Sequence, residues 1–116
     1  AESVGGEIFV MMMPTCRIVD LAEVMMEALG RRVPIVETGA RPGEKIDEIL
    51  LTEYESQSTV VYDREYLVIL PPLQIPWLRE RYAGYPKAAL QKFSSAENLM
   101  TKEEIRAMLI RGGFLP

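Results

Sequence analysis

Thr38-Gly39-Ala40-Arg41-Pro42-Gly43-Glu44-Lys45 is the stretch that most restricts the course of this chain. Two glycines and a proline fix the backbone there. The run follows a short apolar segment, Val33-Pro34-Ile35-Val36, and precedes a segment in which Ile46, Ile49 and Leu50 recur at helical spacing. It reads as a strand–turn–helix corner with Arg41 at the helix entrance. A helix N-terminus presents unpaired N–H groups and the positive end of its dipole, so it favours anions. An arginine adds a planar fork that matches a phosphate. The corner can hold a phosphate, or it can be a plain turn with a solvated Arg41.

At 116 residues the chain is long enough for one small domain. A formal net charge of −4 and the absence of a basic block argue against a nucleic-acid binder. A local cationic site is still allowed, because Arg17, Arg31, Arg32 and Arg41 all lie in the first third. Histidine is absent, which removes imidazole acid–base chemistry and imidazole metal ligands. The single cysteine, Cys16, forms no intrachain disulfide and fits a reducing, cytoplasmic setting. No apolar run is long enough to span a bilayer, and no signal peptide is visible. The chain begins at Ala1 rather than methionine, as a processed or excised segment does.

Read in order, residues 1–7 form a tail into Gly5-Gly6. Strands are expected at residues 7–11, 33–37, 59–62 and 66–70, and helices at 17–29, 44–51 and 101–111. In the first helix the expected apolar stripe is Ile18, Leu21, Ala22, Met25, Ala28 and Leu29, with Thr15 as N-cap and Gly30 as the C′ residue. Asp63-Arg64-Glu65 is short enough to turn a hairpin. Residues 52–58 read as a polar loop, and 73–93 as an irregular excursion carrying Trp77 and Tyr85. Thr101 and Glu104 predict a capping box for the last helix, with Met100 and Ile105 as its staple. The fold class is α+β (α/β-like), a small mixed sheet with about three helices in a single domain, 1–116.

The chemistry of the chain is defined largely by what it lacks. No Gly-x-Gly-x-x-Gly or Walker loop occurs. Four residues beyond the five tyrosines stand Ser58, Tyr66, Leu70, Pro86 and Ala89, so there is no Tyr-x-x-x-Lys pair. Asp20/Glu23 and Glu103/Glu104 sit at helix starts, where the dipole explains them. Cys16 has no identifiable base. No catalytic residue and no metal ligand is assigned.

Several runs nonetheless resemble one family in order. Gly5-Gly6-Glu7-Ile8-Phe9-Val10, Met13-Pro14 and Arg17-Ile18-Val19-Asp20-Leu21-Ala22 look like the opening of the C-terminal part of capsular-polysaccharide-type nucleotide-sugar 4,6-dehydratases and epimerases. These are extended short-chain dehydrogenase/reductases. Arg41-Pro42-Gly43-Glu44-Lys45-Ile46-Asp47-Glu48 resembles their Arg-Pro-Gly-Glu-Lys-Leu-His-Glu signature, with Asp47 where histidine is usual. Leu51-Thr52-Glu53, Phe93-Ser94-Ser95 with Asn98, and Thr101 to Arg106 also fit. Met11-Met12 stands where the family often has Pro-Lys.

The resemblance implies a substrate-binding C-terminal lobe in which Arg41 contacts the diphosphate of a UDP-sugar and Glu44 its ribose. It implies that the parent's NAD(P)-binding Rossmann domain and catalytic pair lie N-terminal to this region, so the chain alone carries no cofactor. The implied partners are a nucleotide-sugar and that Rossmann domain, with no nucleic acid and no membrane; a homo-oligomer is left open. The alternative is a non-enzymatic interaction module on the same scaffold, using Met11–Met13, Trp77 and Tyr85. A stand-alone enzyme of new type has no catalytic constellation to support it.

Overall fold

A computed structural model describes residues 3–89 and 92–116, so the start of the expected tail (Ala1, Glu2) and Leu90-Gln91 lie outside the described residues. The class is α+β: five strands and four helices among the described residues, in the order β1(Ile8–Met11), α1(Ile18–Ala28), β2(Ile49–Leu51), α2(Glu53–Ser56), β3(Thr59–Val61), β4(Tyr66–Ile69), α3(Pro76–Tyr82), β5(Phe93–Ser94) and α4(Lys102–Arg111). The strands pair antiparallel in two small sheets, β1-β4-β3 and β2-β5, rather than in one mixed sheet. The chain clusters into two compact units, residues 1–13 with 49–94 and residues 14–48 with 95–116. None of the described helices is long and apolar enough to cross a membrane.

The first unit is built on the three-stranded sheet. Side chains alternate across a strand, and here both faces are covered. Leu67, Ile69, Val10 and Val61 meet Leu51 and Phe93 of the small sheet. On the opposite face Val60, Val68 and Phe9 meet Leu78 and Tyr82 of α3. This double burial explains why the strands read as nearly continuous apolar runs. The β3–β4 hairpin forms as expected. Asp63 closes it, its carboxylate accepting the N–H groups of Glu65 and Tyr66 at 2.7 and 2.8 Å.

The polar run 52–58, expected as a loop, contains α2. Thr52 and Glu55 form a complete capping box, each side chain accepting the other's backbone N–H. The excursion after Pro72 contains α3, with Pro76 in its first turn, where the missing N–H costs nothing. Tyr85 packs in the core, stacked on Tyr62 with ring centroids 5.3 Å apart. It is therefore not a surface anchor. Trp77, Met11 and Met13 are half-exposed, while Met12 packs inward.

The second unit pairs α1 with α4. Val24, Ile105 and Leu115 are its buried centre, with Leu21, Ala28, Met100 and Leu109 around them. The buried stripe of α1 is thus Leu21, Val24 and Ala28; Ile18, Met25 and Leu29 face outward and are exposed. Two ion pairs join the helices, Lys102 to Glu23 and Arg106 to Glu27. Both helices supply these charges at i, i+4 and in the same sequence order, so they run side by side in the same sense. Thr15 does not cap α1. Its hydroxyl donates to the carbonyl of Glu97 at 3.1 Å, its backbone bridges to Leu99, and Arg17 takes the cap position without a side-chain bond. The capping box of Thr101 and Glu104 is present as expected.

Two expected elements are absent. Residues 33–37 form no strand: Val33, Ile35 and Val36 are exposed, and no described strand lies beside them to take their backbone groups. Residues 44–51 form no helix. Their last residues are β2, held by pairing of Ile49 and Leu51 with Ser94 and Phe93. Long-range pairing overrides local helical spacing here. Leu51 is fully buried by it, while Ile46, counted on the helical stripe, is 93% exposed.

Candidate functional site

The loop 38–45 folds as a reverse turn and not as a helix entrance. The N–H of Glu44 donates to the carbonyl of Arg41 at 3.0 Å. Pro42 and Gly43 are the central residues, and Gly43 has φ +87°. Proline at the first central position and positive φ at the second define a type II turn. Only glycine accepts that second position without strain. The Glu44 side chain closes the turn a second time, its Oε2 accepting the N–H of Arg41 at 2.7 Å.

The two residues expected to bind substrate are therefore brought together, on one turn of four residues. The helix dipole expected behind Arg41 is missing, because no helix begins at Glu44. What remains is an exposed Arg41 with no ion pair among the described residues, its backbone N–H bonded to one oxygen of the Glu44 carboxylate. A carboxylate can accept several hydrogen bonds. The turn thus carries a bidentate donor for an anion and, three residues on, an acceptor for hydroxyl groups. Lys45 is held back toward Glu48, 3.8 Å away.

Residues that sequence reasoning did not single out form a second polar centre at the start of β1. Glu7 Oε1 accepts the N–H of Val4 at 2.7 Å and the hydroxyl of Tyr82 at 3.3 Å. Its Oε2 is buried and has no hydrogen-bond partner among the described residues. Burial pushes this carboxyl up, but bonds from Val4, its own N–H, Ser3 and Tyr82 outweigh that and leave it below the ordinary range. The Tyr82 phenol is pushed up by burial and by Glu7, against an opposing bond from Arg81. Nothing in the sequence spacing links Glu7 to Tyr82; only the fold does.

The described strands are antiparallel, and no strand–glycine loop–helix crossover is present among the described residues to hold a pyrophosphate. Nor do the described side chains group into a metal site.

The family model described as polysaccharide biosynthesis protein matches residues 1–70, which include the turn and Glu7 but not Tyr82. Among curated proteins, an uncharacterized membrane protein of Methanocaldococcus jannaschii is 45% identical over 58 residues, covering 44% of this chain and 17% of that protein. The inverting UDP-N-acetylglucosamine 4,6-dehydratase of Campylobacter jejuni is 33% identical over 64 residues, covering 55% of this chain and 18% of the enzyme. Among solved structures, Pen from Bacillus thuringiensis aligns with a TM-score of 0.77 and 32% identity, over 96% of this chain and 33% of that one. The chain thus spans less than a fifth of these curated relatives and a third of that solved chain. With its fold and the matched residues taken together, the chain belongs to the polysaccharide biosynthesis protein family.

Proposed function

We propose that this chain is the substrate-contacting C-terminal part of a nucleotide-sugar 4,6-dehydratase or epimerase, and that it binds a UDP-sugar through the Arg41–Glu44 turn. The observation that carries the reading is the turn itself. It puts Arg41, which has no ion pair among the described residues, and Glu44 on one solvent-exposed turn, the Arg41 N–H bonded to the Glu44 carboxylate. The 4,6-dehydratase relative supports the substrate class. Arg41 takes the diphosphate in a two-pronged bond, and Glu44 accepts from the ribose hydroxyls. The chain alone performs no hydride chemistry, because the nicotinamide belongs to the Rossmann domain of a longer parent.

The test is an amide NMR titration with UDP and a UDP-sugar. Shifts centred on Arg41 and Glu44, weakened about tenfold or more by Arg41→Ala, are the expected result. A titration in which those amides stay still overturns the reading.

One observation favours protein association as a second reading. Ile18, Met25 and Leu29 give α1 an apolar stripe that faces away from α4. In a longer parent this stripe is a docking surface for the Rossmann domain; in the interaction-module alternative it serves another partner. Light scattering on Ile18→Asp with Leu29→Asp checks it. If the native chain associates and the double variant does not, the stripe is the contact. Association that persists in the variant removes the stripe from consideration.

A further inference from the structure

The second unit holds a cavity of about 900 Å³ at the C-terminal end of α1, which neither Arg41 nor Glu44 lines. We propose that it is a separate site for a small organic phosphate: Arg31 and Arg32 hold the phosphate, and Met26, Val33, Pro34 and Ile35 form the wall for the organic part. This goes beyond the UDP-sugar reading and does not depend on it.

The charges decide the sign of the ligand. Glu23 and Glu27 also line the cavity. Each is already engaged, Glu23 by Lys102 and Glu27 by Arg106. The Lys102 bond holds the Glu23 carboxyl below its ordinary range, with a further contribution from Arg32. Arg31 and Arg32 have no ion pair among the described residues. Once the paired charges cancel, two guanidinium groups set the field. The end of α1 does not offset them through loose carbonyls. Gly30, with φ +62°, turns the chain so that its N–H meets the carbonyl of Glu27 at 3.3 Å. The Arg31 N–H meets that of Met26 at 3.1 Å. This is a Schellman closure, which satisfies the terminal carbonyls.

The wall decides the body of the ligand. It is aliphatic and carries no aromatic ring, so it gives no platform for stacking a base. The volume falls within the range of about 300–1,000 Å³ typical of small-molecule sites. Guanidinium groups beside an aliphatic wall suit a phosphate monoester with a compact apolar body better than a bare anion or a bare apolar molecule.

An amide and methyl NMR titration of the 116-residue chain with inorganic phosphate, hexyl phosphate and hexanol tests this. Hexyl phosphate is expected to bind more tightly than either of the others, shifting the amides of Gly30, Arg31, Arg32, Val33 and Ile35 and the Met26 methyl. Arg31→Gln with Arg32→Gln weakens it about tenfold or more, Ile35→Asp weakens it independently, and Arg41→Ala leaves it unchanged. Hexyl phosphate binding no better than phosphate overturns the proposal. So do shifts that gather at Arg41–Glu44 instead, or full affinity in the double variant.

Discussion

The Tyr82 hydroxyl donates to Glu7 Oε1 at 3.3 Å and so ties α3 to the residue that precedes β1, 75 positions away in sequence. The Tyr82 ring packs among apolar and aromatic side chains and the residue is 2% exposed, with Arg81 as the other polar neighbour of its hydroxyl. Tyr82→Phe keeps the ring packing and removes the bond. A loss of about 0.5–1.5 kcal/mol is expected, the usual net worth of one such bond, measured as a lowered urea midpoint at unchanged slope.

Glu7 also makes an acid-side prediction. Its carboxyl is held below its ordinary value of 4.5, so the stability it contributes is present above that value. It is lost as pH falls through the lower, folded value. Glu7→Gln removes this contribution. Thermal unfolding followed from neutral pH to pH ~3 should therefore fall less steeply in the variant than in the native chain.

The Lys102–Glu23 pair titrates at both ends. Its hydrogen bond lowers the Glu23 carboxyl and raises the Lys102 ammonium from its ordinary 10.5. The carboxylate's contribution is present above 4.5 and lost in acid; the ammonium's is present below 10.5 and lost as pH rises through its raised value. Both groups are substantially solvated, so the effect is modest and screened by salt. In Lys102→Met the difference from the native chain should be greatest near neutral pH at low salt, and should shrink in 1 M (about a 3 Å screening length) salt. Thermal melts across pH and salt check it.

Core truncation separates the two compact units. Leu67→Ala opens a void where the sheet meets Leu51 and Phe93, and Ile105→Ala opens one against Val24. Each should cost about 2–5 kcal/mol. Hydrogen exchange should show the first variant losing protection mainly in β1, β3 and β4, and the second mainly in α1 and α4.

Gly43→Ala tests the turn. An L side chain at φ +87° is strained wherever it points, even though the space around Gly43 is open. The turn is peripheral, so the unfolding midpoint should move by less than about 0.5 kcal/mol equivalent. The Arg41 N–H, by contrast, should lose its bond to Glu44 and exchange faster. A variant that keeps slow exchange there would show that the turn does not need positive φ.

What could be read from the sequence was what short segments decide for themselves. Thr101 with Glu104, Gly30 closing α1, and Asp63 in the hairpin all act within a few residues. Thr52 and Glu55 carry the same capping signature as Thr101 and Glu104, so α2 is legible in the sequence despite being short and polar. Pro76 likewise marked the start of α3. The failures have another cause. Ile46, Ile49 and Leu50 have helical spacing, but Phe93 and Ser94, more than forty residues on, pull Ile49 to Leu51 into a ladder. Val33 to Val36 had the composition of a strand without a described neighbour to pair with. In α1 the apolar stripe is wider than the buried one, since periodicity cannot say which of two adjacent apolar rows α4 covers. Arg41 and Glu44, expected at a helix entrance, are joined instead by a turn.

That turn is closed by two bonds among four consecutive residues, both reaching no farther than Arg41 to Glu44. It draws nothing from the core for its shape. A loop this short closes on a timescale of about 10–100 ns or faster, long before sheets or helices assemble. Its geometry is therefore an early and transplantable property: a short peptide spanning residues 38–45 carries the instructions for its own conformation, whatever body it is later attached to.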